Sequence, residues 1–268
     1  MKTRAITAFF FTLVMLGSLI NGYAFTGFYL ILSIVALLEF YKLVKTSGIR
    51  PHRNIAVLAA VIIFLLTASY HYFQFELKYL LLIVPLIFSV FIFELYKKEK
   101  IPFANISYTF VGFIYVTIPF CFFYSLGFLA NFNLYNFHLP LAFLLLLWAN
   151  DTGAYLFGVK WGKHRLFERH SPKKSWEGFF GGMFTSLVVS YLISMQFAEM
   201  KPIVWAGMSI LIVCFGTLGD LVESMLKRSL DAKDSGSFLP GHGGFLDRFD
   251  GLLIAAPVVY VYLYLILH

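Results

Sequence analysis

The chain has 268 residues, 60% of them apolar and 13% charged, with a mean hydropathy of +0.79, so its polar residues are too few to cover a water-facing globular surface. That excludes a soluble enzyme or a soluble binding module and leaves an integral membrane protein. The formal net charge of +7 reads as topology signals and contacts to anionic lipid or phosphate, not as a nucleic-acid surface, because the cations sit at the ends of apolar runs. Cys121 and Cys214 both fall inside apolar segments, where each serves as a small hydrophobe and not as half of a disulfide or metal pair.

Apolar runs long enough to cross a bilayer recur nine times, at about 5–21, 24–44, 55–74, 78–96, 106–129, 139–158, 176–198, 203–221 and 251–267. With the N-terminus in the cytoplasm, every Lys and Arg except Lys78 and Lys201 falls on the cytoplasmic side or at a cytoplasmic helix end. So lopsided a split is what the positive-inside rule demands of an odd number of spans, and an even number would scramble it. Residues 1–24 also fit a cleaved signal peptide, with a basic start, an apolar middle and "NGYA" before Phe25; retention as the first span is the reading taken here. The expected fold is therefore all-α: a polytopic membrane protein of about nine transmembrane helices, N-terminus cytoplasmic and C-terminus outside. Residues 1–138 form a scaffold of five spans in which Glu39, Glu76 and Glu94 sit near helix ends, and residues 139–268 form the catalytic region.

Four polar features crowd that second region. Asp151, with Asn150 and Thr152 beside it in "LLLLWANDTGAYLFG", lies about two turns inside its span. An ionised group at that depth is costly and usually faces a protein interior or a water-filled cavity. Next, "SPKKSWEGFFGG" places Lys173 and Lys174 before the following span, as phosphate partners or helix anchors. Gly178 and Gly182 there read as a small-xxx-small packing device, and Glu177 fits either a first-turn helix charge or a site contact. Asp220, in "GDLVESMLKR", closes the eighth span, and the helix can continue past it, because Asp220, Ser224, Lys227 and Arg228 recur at three- and four-residue steps and share a face.

The fourth feature is "PGHGGFLDRFDG". Its glycines permit a sharp turn with exposed backbone N–H groups, and Asp247 and Asp250 are spaced to project from one face of the helix that starts the last span. With Asp220 arriving from another helix, these carboxylates suit Mg²⁺, a hard cation bound through oxygen and commonly shared with substrate phosphates; a charged helix start at the membrane surface is the alternative. All four features lie on the predicted cytoplasmic side. Carboxylates for a metal, cations for phosphate and a glycine-rich turn at headgroup depth together imply phosphoryl or nucleotidyl chemistry on a lipid.

Residues 224–251, "SMLKRSLDAKDSGSFLPGHGGFLDRFDG", resemble the signature of phosphatidate cytidylyltransferases, also called CDP-diacylglycerol synthases, through Ser224, Leu226, Lys227, Arg228, Lys233, Asp234, Gly236, Leu239, Pro240, His242, Gly243, Gly244, Asp247, Arg248, Phe249 and Asp250. The upstream "WANDTGAYLFG" and "SPKKSWEG" resemble family motifs in the expected order, so the resemblance covers roughly residues 148–251. Gly251 departs from the Ser expected after the last Asp, which puts a local hydroxyl contact in doubt.

The resemblance implies that phosphatidate and CTP give CDP-diacylglycerol and pyrophosphate on the cytoplasmic face of the cell membrane. It also implies a homodimer and a monovalent cation such as K⁺ beside Mg²⁺. On that reading Asp220 and Asp247 are the leading metal ligands and Asp250 is a third ligand or a neighbouring carboxylate. Lys227, Arg228 and Lys233 hold triphosphate or pyrophosphate, joined by Lys173 and Lys174, while Gly243 and Gly244 let backbone approach phosphate. Asn150 and Asp151 line the polar end of the cavity, His242 donates to phosphate, and Ser224, Asp234 and Arg248 complete the substrate contacts. A transporter or channel with a cytoplasmic-side acidic site is the competing reading, but it predicts polar groups near the bilayer midplane and paired repeats. A CDP-alcohol phosphotransferase would also use aspartates and Mg²⁺, yet its spaced aspartate pattern is not found here.

Overall fold

A computed structural model describes residues 2–74, 76–130, 134–169, 171–232, 236 and 244–268, with side chains from residue 9 onward apart from that of residue 77. The chain is mostly helical. Helices α1 (Lys2–Ser18), α2 (Gly22–Lys45), α3 (Arg53–Phe73) and α4 (Ile83–Leu95, entered through a 3-10 turn at Leu77–Leu82) come first. A single rod follows, made of α5 (Pro102–Gly112), a π-helical turn at Phe113–Thr117 and α6 (Ile118–Leu126). The second half holds α7 (His138–Trp161), a two-stranded ribbon of β1 (Arg165–Phe167) and β2 (Ser171–Ser175), α8 (Trp176–Gln196), α9 (Pro202–Ser229), a 3-10 turn at Leu246–Arg248 and α10 (Asp250–Leu267).

Eight of these helical segments, from α2 onward, are long and apolar enough to cross a membrane. Helices stand within a few residues of the expected apolar runs, except that α9 runs on to Ser229 as its polar stripe suggests. Helix α1, with 17 residues, reaches only about 25 Å at 1.5 Å per residue, somewhat short of a hydrocarbon core of about 30 Å. The ribbon corrects the all-α expectation: Arg165 pairs with Ser175 and Phe167 with Ser171, antiparallel. Its residues, Arg-Leu-Phe and Ser-Pro-Lys-Lys-Ser, carry no alternation of apolar and polar side chains, so backbone pairing alone makes it a strand pair and the sequence offers no pattern to read.

Local chemistry explains the helix ends. Asn21 caps α2 by accepting from the N–H groups of Tyr23 at 2.9 Å and Ala24 at 3.2 Å, and Ser175 caps α8 by accepting from Gly178 at 3.1 Å. Pro102 and Pro202 stand in the first turns of α5 and α9, where a missing N–H costs nothing. Pro119 cannot donate to the turn before it, and the ladder widens into the π turn immediately upstream.

Large apolar side chains crowd the outward faces, as Ile31, Phe88, Ile92, Phe184, Tyr191 and Leu265 illustrate, which suits contact with lipid. Inside, Phe25, Tyr29, Phe123, Tyr124 and Phe143 form an aromatic core that joins α2, α6 and α7. Helices α7 and α8 pack backbone to backbone. A Cβ on Gly178 would stand 2.9 Å from the Ala154 carbonyl oxygen, and one on Gly182 would stand 2.8 Å from that of Asn150, so the two glycines are the packing device the sequence suggests. Hydroxyls tie α9 and α7 to α8: Ser209 donates to Ser186 at 2.9 Å, and Ser186 to the Leu146 carbonyl at 3.1 Å.

Candidate active site

Close approach of α9 and α10 builds the acidic centre. A Cβ on Gly219 would stand 3.1 Å from both the Asp250 carbonyl carbon and the Gly251 Cα, so only glycine lets the helices meet there. Asp220, one residue later, is thereby brought to Asp250 at the first position of α10. Glu223, one turn further along α9, joins them, and carboxylate oxygens of Asp220, Glu223 and Asp250 lie within 4.8 Å of one another. Gly251 serves the same approach: a Cβ there would stand 3.0 Å from Leu147 Cδ1 and 3.5 Å from Gly216 Cα. A side chain at this position would need the tip of Leu147 to give by a few tenths of an ångström.

Asp247 is not one of this trio, and it joins Glu223 through Lys227. It lies in the 3-10 turn, and α10 begins only at Asp250, so the two aspartates are not on one helix as their spacing suggests. The reason is a pair of side-chain acceptors that hold this turn. Glu39 of α2 accepts from the N–H groups of Phe245 and Leu246, each at 2.9 Å, and Asp247 Oδ2 accepts from Gly244 N–H at 3.0 Å. Asp247 Oδ1 accepts from Lys227 Nζ at 2.6 Å, and the same ammonium donates to Glu223 Oε2 at 2.6 Å. Burial works to raise the Asp247 carboxyl, but hydrogen bonding with Glu223, Lys227 and Gly244 outweighs it and holds the group well below the usual carboxylate range. From the other side, Phe11 of α1 packs edge-on against Phe245, with ring centres 6.0 Å apart.

A second group of expected residues, Asn150 and Asp151 from α7 and Lys173 and Lys174 from β2, lines a cavity of about 290 Å³ that reaches Asp220, with Thr217 of α9 beside them. The ribbon delivers Lys174, which ion-pairs with Asp220 and donates to the Thr217 carbonyl at 3.5 Å. Asn150 is buried, and its Oδ1 has no hydrogen-bond partner among the described residues. Glu177 proves to be a helix-start contact, accepting from the His164 N–H at 3.2 Å and bonding its ring at 2.6 Å.

Five residues named from the sequence, Asn150, Asp151, Lys173, Lys174 and Asp220, thus share one cavity, and Lys227, Asp247 and Asp250 stand next to it. Ser224 is half-buried on α9, while Arg228 and Arg248 are exposed. Lys233, Asp234, His242 and Gly243 lie outside the described residues. Two residues were missed. Glu223 is almost wholly buried, and its signal was a second carboxylate one helical turn after Asp220. Glu39 is buried in the scaffold half; a lone carboxylate in the run 24–44 was the only trace of it.

The donor set of this centre fits a hard divalent cation. Three carboxylates converge, Glu223 Oε1 is buried without a hydrogen-bond partner among the described residues, and oxygen donors of this kind are what Mg²⁺ takes.

Comparison with known proteins agrees over nearly the full length. A family model described as "Cytidylyltransferase family" matches residues 2–266. Curated relatives named phosphatidate cytidylyltransferase include one from Staphylococcus aureus (strain COL), 36% identical over 98% of this chain and 99% of the relative. Others come from Staphylococcus epidermidis (strain ATCC 12228 / FDA PCI 1200), 35% identical over 98% of this chain and 99% of the relative, and from Staphylococcus haemolyticus (strain JCSC1435), 34% identical over the same shares.

Proposed function

We infer, because the chain belongs to the cytidylyltransferase family, that it is a phosphatidate cytidylyltransferase: it transfers the CMP moiety of CTP to phosphatidate, giving CDP-diacylglycerol and pyrophosphate. The observation that carries this reading into the structure is the convergence of Asp220, Glu223 and Asp250 beside Lys174 and Lys227. Two polyanions must be brought together for the phosphatidate phosphate to attack the α-phosphorus of CTP. The chain answers that need with cations that stand next to an oxygen-donor centre.

Asp220, Glu223 and Asp250 would hold Mg²⁺, which when bound neutralises triphosphate charge and favours in-line displacement. Lys174 and Lys227, each already on a carboxylate of the centre, are placed to take phosphate oxygens from those carboxylates. Gly244 gives backbone N–H close to Asp247, so the turn orients this carboxylate and Lys227 as a unit. A phosphate monoester is ionised at neutral pH, and no residue is needed to remove a proton from it. The cavity at Asn150 and Asp151, flanked by Tyr155 and Phe179, would receive the reacting end of a substrate while the acyl chains of the lipid remain in the bilayer along α7 and α8.

The same reading gives nine spans with α1 as the first, the N-terminus and the site on the cytoplasmic side of the cell membrane, and a homodimer. The test is purified protein in detergent given phosphatidate, CTP and Mg²⁺, with pyrophosphate and lipid product followed together and ATP, GTP and UTP as controls. CTP-dependent CDP-diacylglycerol that vanishes on chelation is the expected result. Folded protein that makes no product from any nucleotide would overturn the assignment.

A further inference from the structure

A larger cavity, about 930 Å³, lies in the N-terminal half, at the upper end of the range of about 300–1,000 Å³ typical of small-molecule sites. Glu39, Lys42 and Lys45 of α2 line it, with Arg50 from the α2–α3 connection, Arg53 at the start of α3 and Gly236 from the segment after α9. Arg50 pairs with Glu99 at 3.2 Å, whereas Lys42, Lys45 and Arg53 take part in no ion pair among the described residues. Lysines at the end of a span commonly serve only as topology signals. That role asks for charge near the interface and nothing of the backbone between them.

Here the backbone is built. Arg50 N–H donates to Asn105 Oδ1 at 2.7 Å and His52 N–H to Thr109 Oγ1 at 2.9 Å. Asn105 Nδ2 in turn donates to Glu94 Oε1 at 2.6 Å, and His52 Nε2 bonds Glu94 Oε2 at 2.5 Å. Glu94 and His52 are both buried, and a charge so placed costs several kcal/mol of desolvation before its partners repay it. The outcome is a fixed loop that holds the ends of α2 and α3, and with them Lys42, Lys45 and Arg53, around a concave space, which is the pre-organisation that lowers the cost of holding an anion. The loop also reaches the site: Ser47 Oγ donates to the Leu230 carbonyl at the end of α9 at 3.2 Å. Glu39, in the cavity wall, holds the N–H groups just before Asp247.

We propose that this cavity is a phosphate-binding compartment in which Lys42, Lys45 and Arg53 hold the phosphate-bearing end of a substrate, with Glu39 linking it to the turn that carries Asp247. The ligand chemistry is a phosphate ester, either the triphosphate of the nucleotide or the headgroup of the lipid. The proposal rests on the reading of the chain as a phosphatidate cytidylyltransferase, and the experiment separates the two. Wild-type turnover comes first: no CDP-diacylglycerol there sinks that reading, while equilibrium binding of labelled CTP and of phosphatidate-containing vesicles still tests the cavity.

The variants are Lys42→Gln with Lys45→Gln, and Arg53→Gln, each beside a charge-keeping partner, Lys45→Arg or Arg53→Lys. Losing one charged phosphate contact is expected to raise one substrate's KM, and weaken its binding, by about tenfold, with kcat little changed and the charge-keeping variants near wild type. A rise confined to CTP identifies the triphosphate, and one confined to phosphatidate identifies the headgroup. Unchanged KM and binding for both substrates in folded variants overturns the proposal. So does a fall in kcat alone, because these residues would then only be shaping the fold. Should the double variant fail to fold, the single variants are read by the same criteria.

Discussion

Glu94 and Glu223, buried glutamates from opposite halves of the molecule, are treated oppositely. Glu94, in the N-terminal half, is saturated: Asn105 donates to one oxygen, His52 bonds the other, and Lys97 stands 3.7 Å away. Glu223, in the C-terminal half, has Lys227 on one oxygen, nothing on the other among the described residues, and two further carboxylates within 4.8 Å. A buried polar group that is fully partnered fixes structure. One left partly unpartnered among like charges is a cost that folding alone does not explain. On the proposed function, the contrast fits a first half that positions and a second that reacts.

Removing each charge is the strongest way to break that contrast. Asp220→Asn and Glu223→Gln are expected to lower kcat by about 10²-fold or more, the scale of losing one preorganised charge contact in a site. The melting temperature should hold or rise, since like-charge repulsion is relieved. Glu94→Ala should do the reverse. It leaves a buried histidine and amide without their partner and costs about 3 kcal/mol of stability, while kcat per folded molecule stays near wild type. Parallel thermal denaturation and turnover in detergent measure both, and near-normal activity of Asp220→Asn would sink the placement of the acidic centre.

A smaller and more local change sharpens the same point. Gly219→Ala adds one methyl against the Asp250 carbonyl, and because that neighbour is backbone, α9 and α10 must part. Oxygen donors that met within 4.8 Å would then spread. The expected result is a clear drop in Mg²⁺ affinity, read as a higher Mg²⁺ concentration for half-maximal turnover, about 10-fold, with a modest loss of melting temperature. Wild-type Mg²⁺ dependence in this variant would mean that the helix approach does not set the centre.

How far the sequence could be read follows from the same physics. Spans were legible because lipid-facing helices must be apolar along their whole length, and the extension of α9 past Asp220 was legible because its charges keep helical spacing. Lys174 meeting Asp220 was within reach once both were assigned to one side of the membrane. The separation of Asp247 from Asp250 was not, because it depends on Glu39 capping a turn more than two hundred residues downstream, and spacing alone cannot register a partner from another helix. Glu223 was readable in principle, but only contact with Asp250 distinguishes it from a helix-surface charge that pairs with Lys227.

The smallest expected effect concerns the positioning half and its pH dependence. His52 lies just outside α3, and burial lowers its pKa from 6.5, helped by Lys97 and opposed by Glu94. The folded chain therefore takes up this proton less readily than the unfolded chain. Stability from the neutral ring is complete above about pH 6.5, the unfolded value, and is lost as the pH falls through 6.5 toward the lower folded value. Melting temperatures of the wild type should decline between about pH 7 and 5, and His52→Gln should flatten that decline. If Glu94 governed the ring instead, the folded pKa would be raised and the slope would change sign, with the wild type gaining stability in acid relative to His52→Gln. A gain of that kind would make the buried pair an ionic lock rather than a neutral hydrogen-bonded brace for the loop at Arg50 and Arg53.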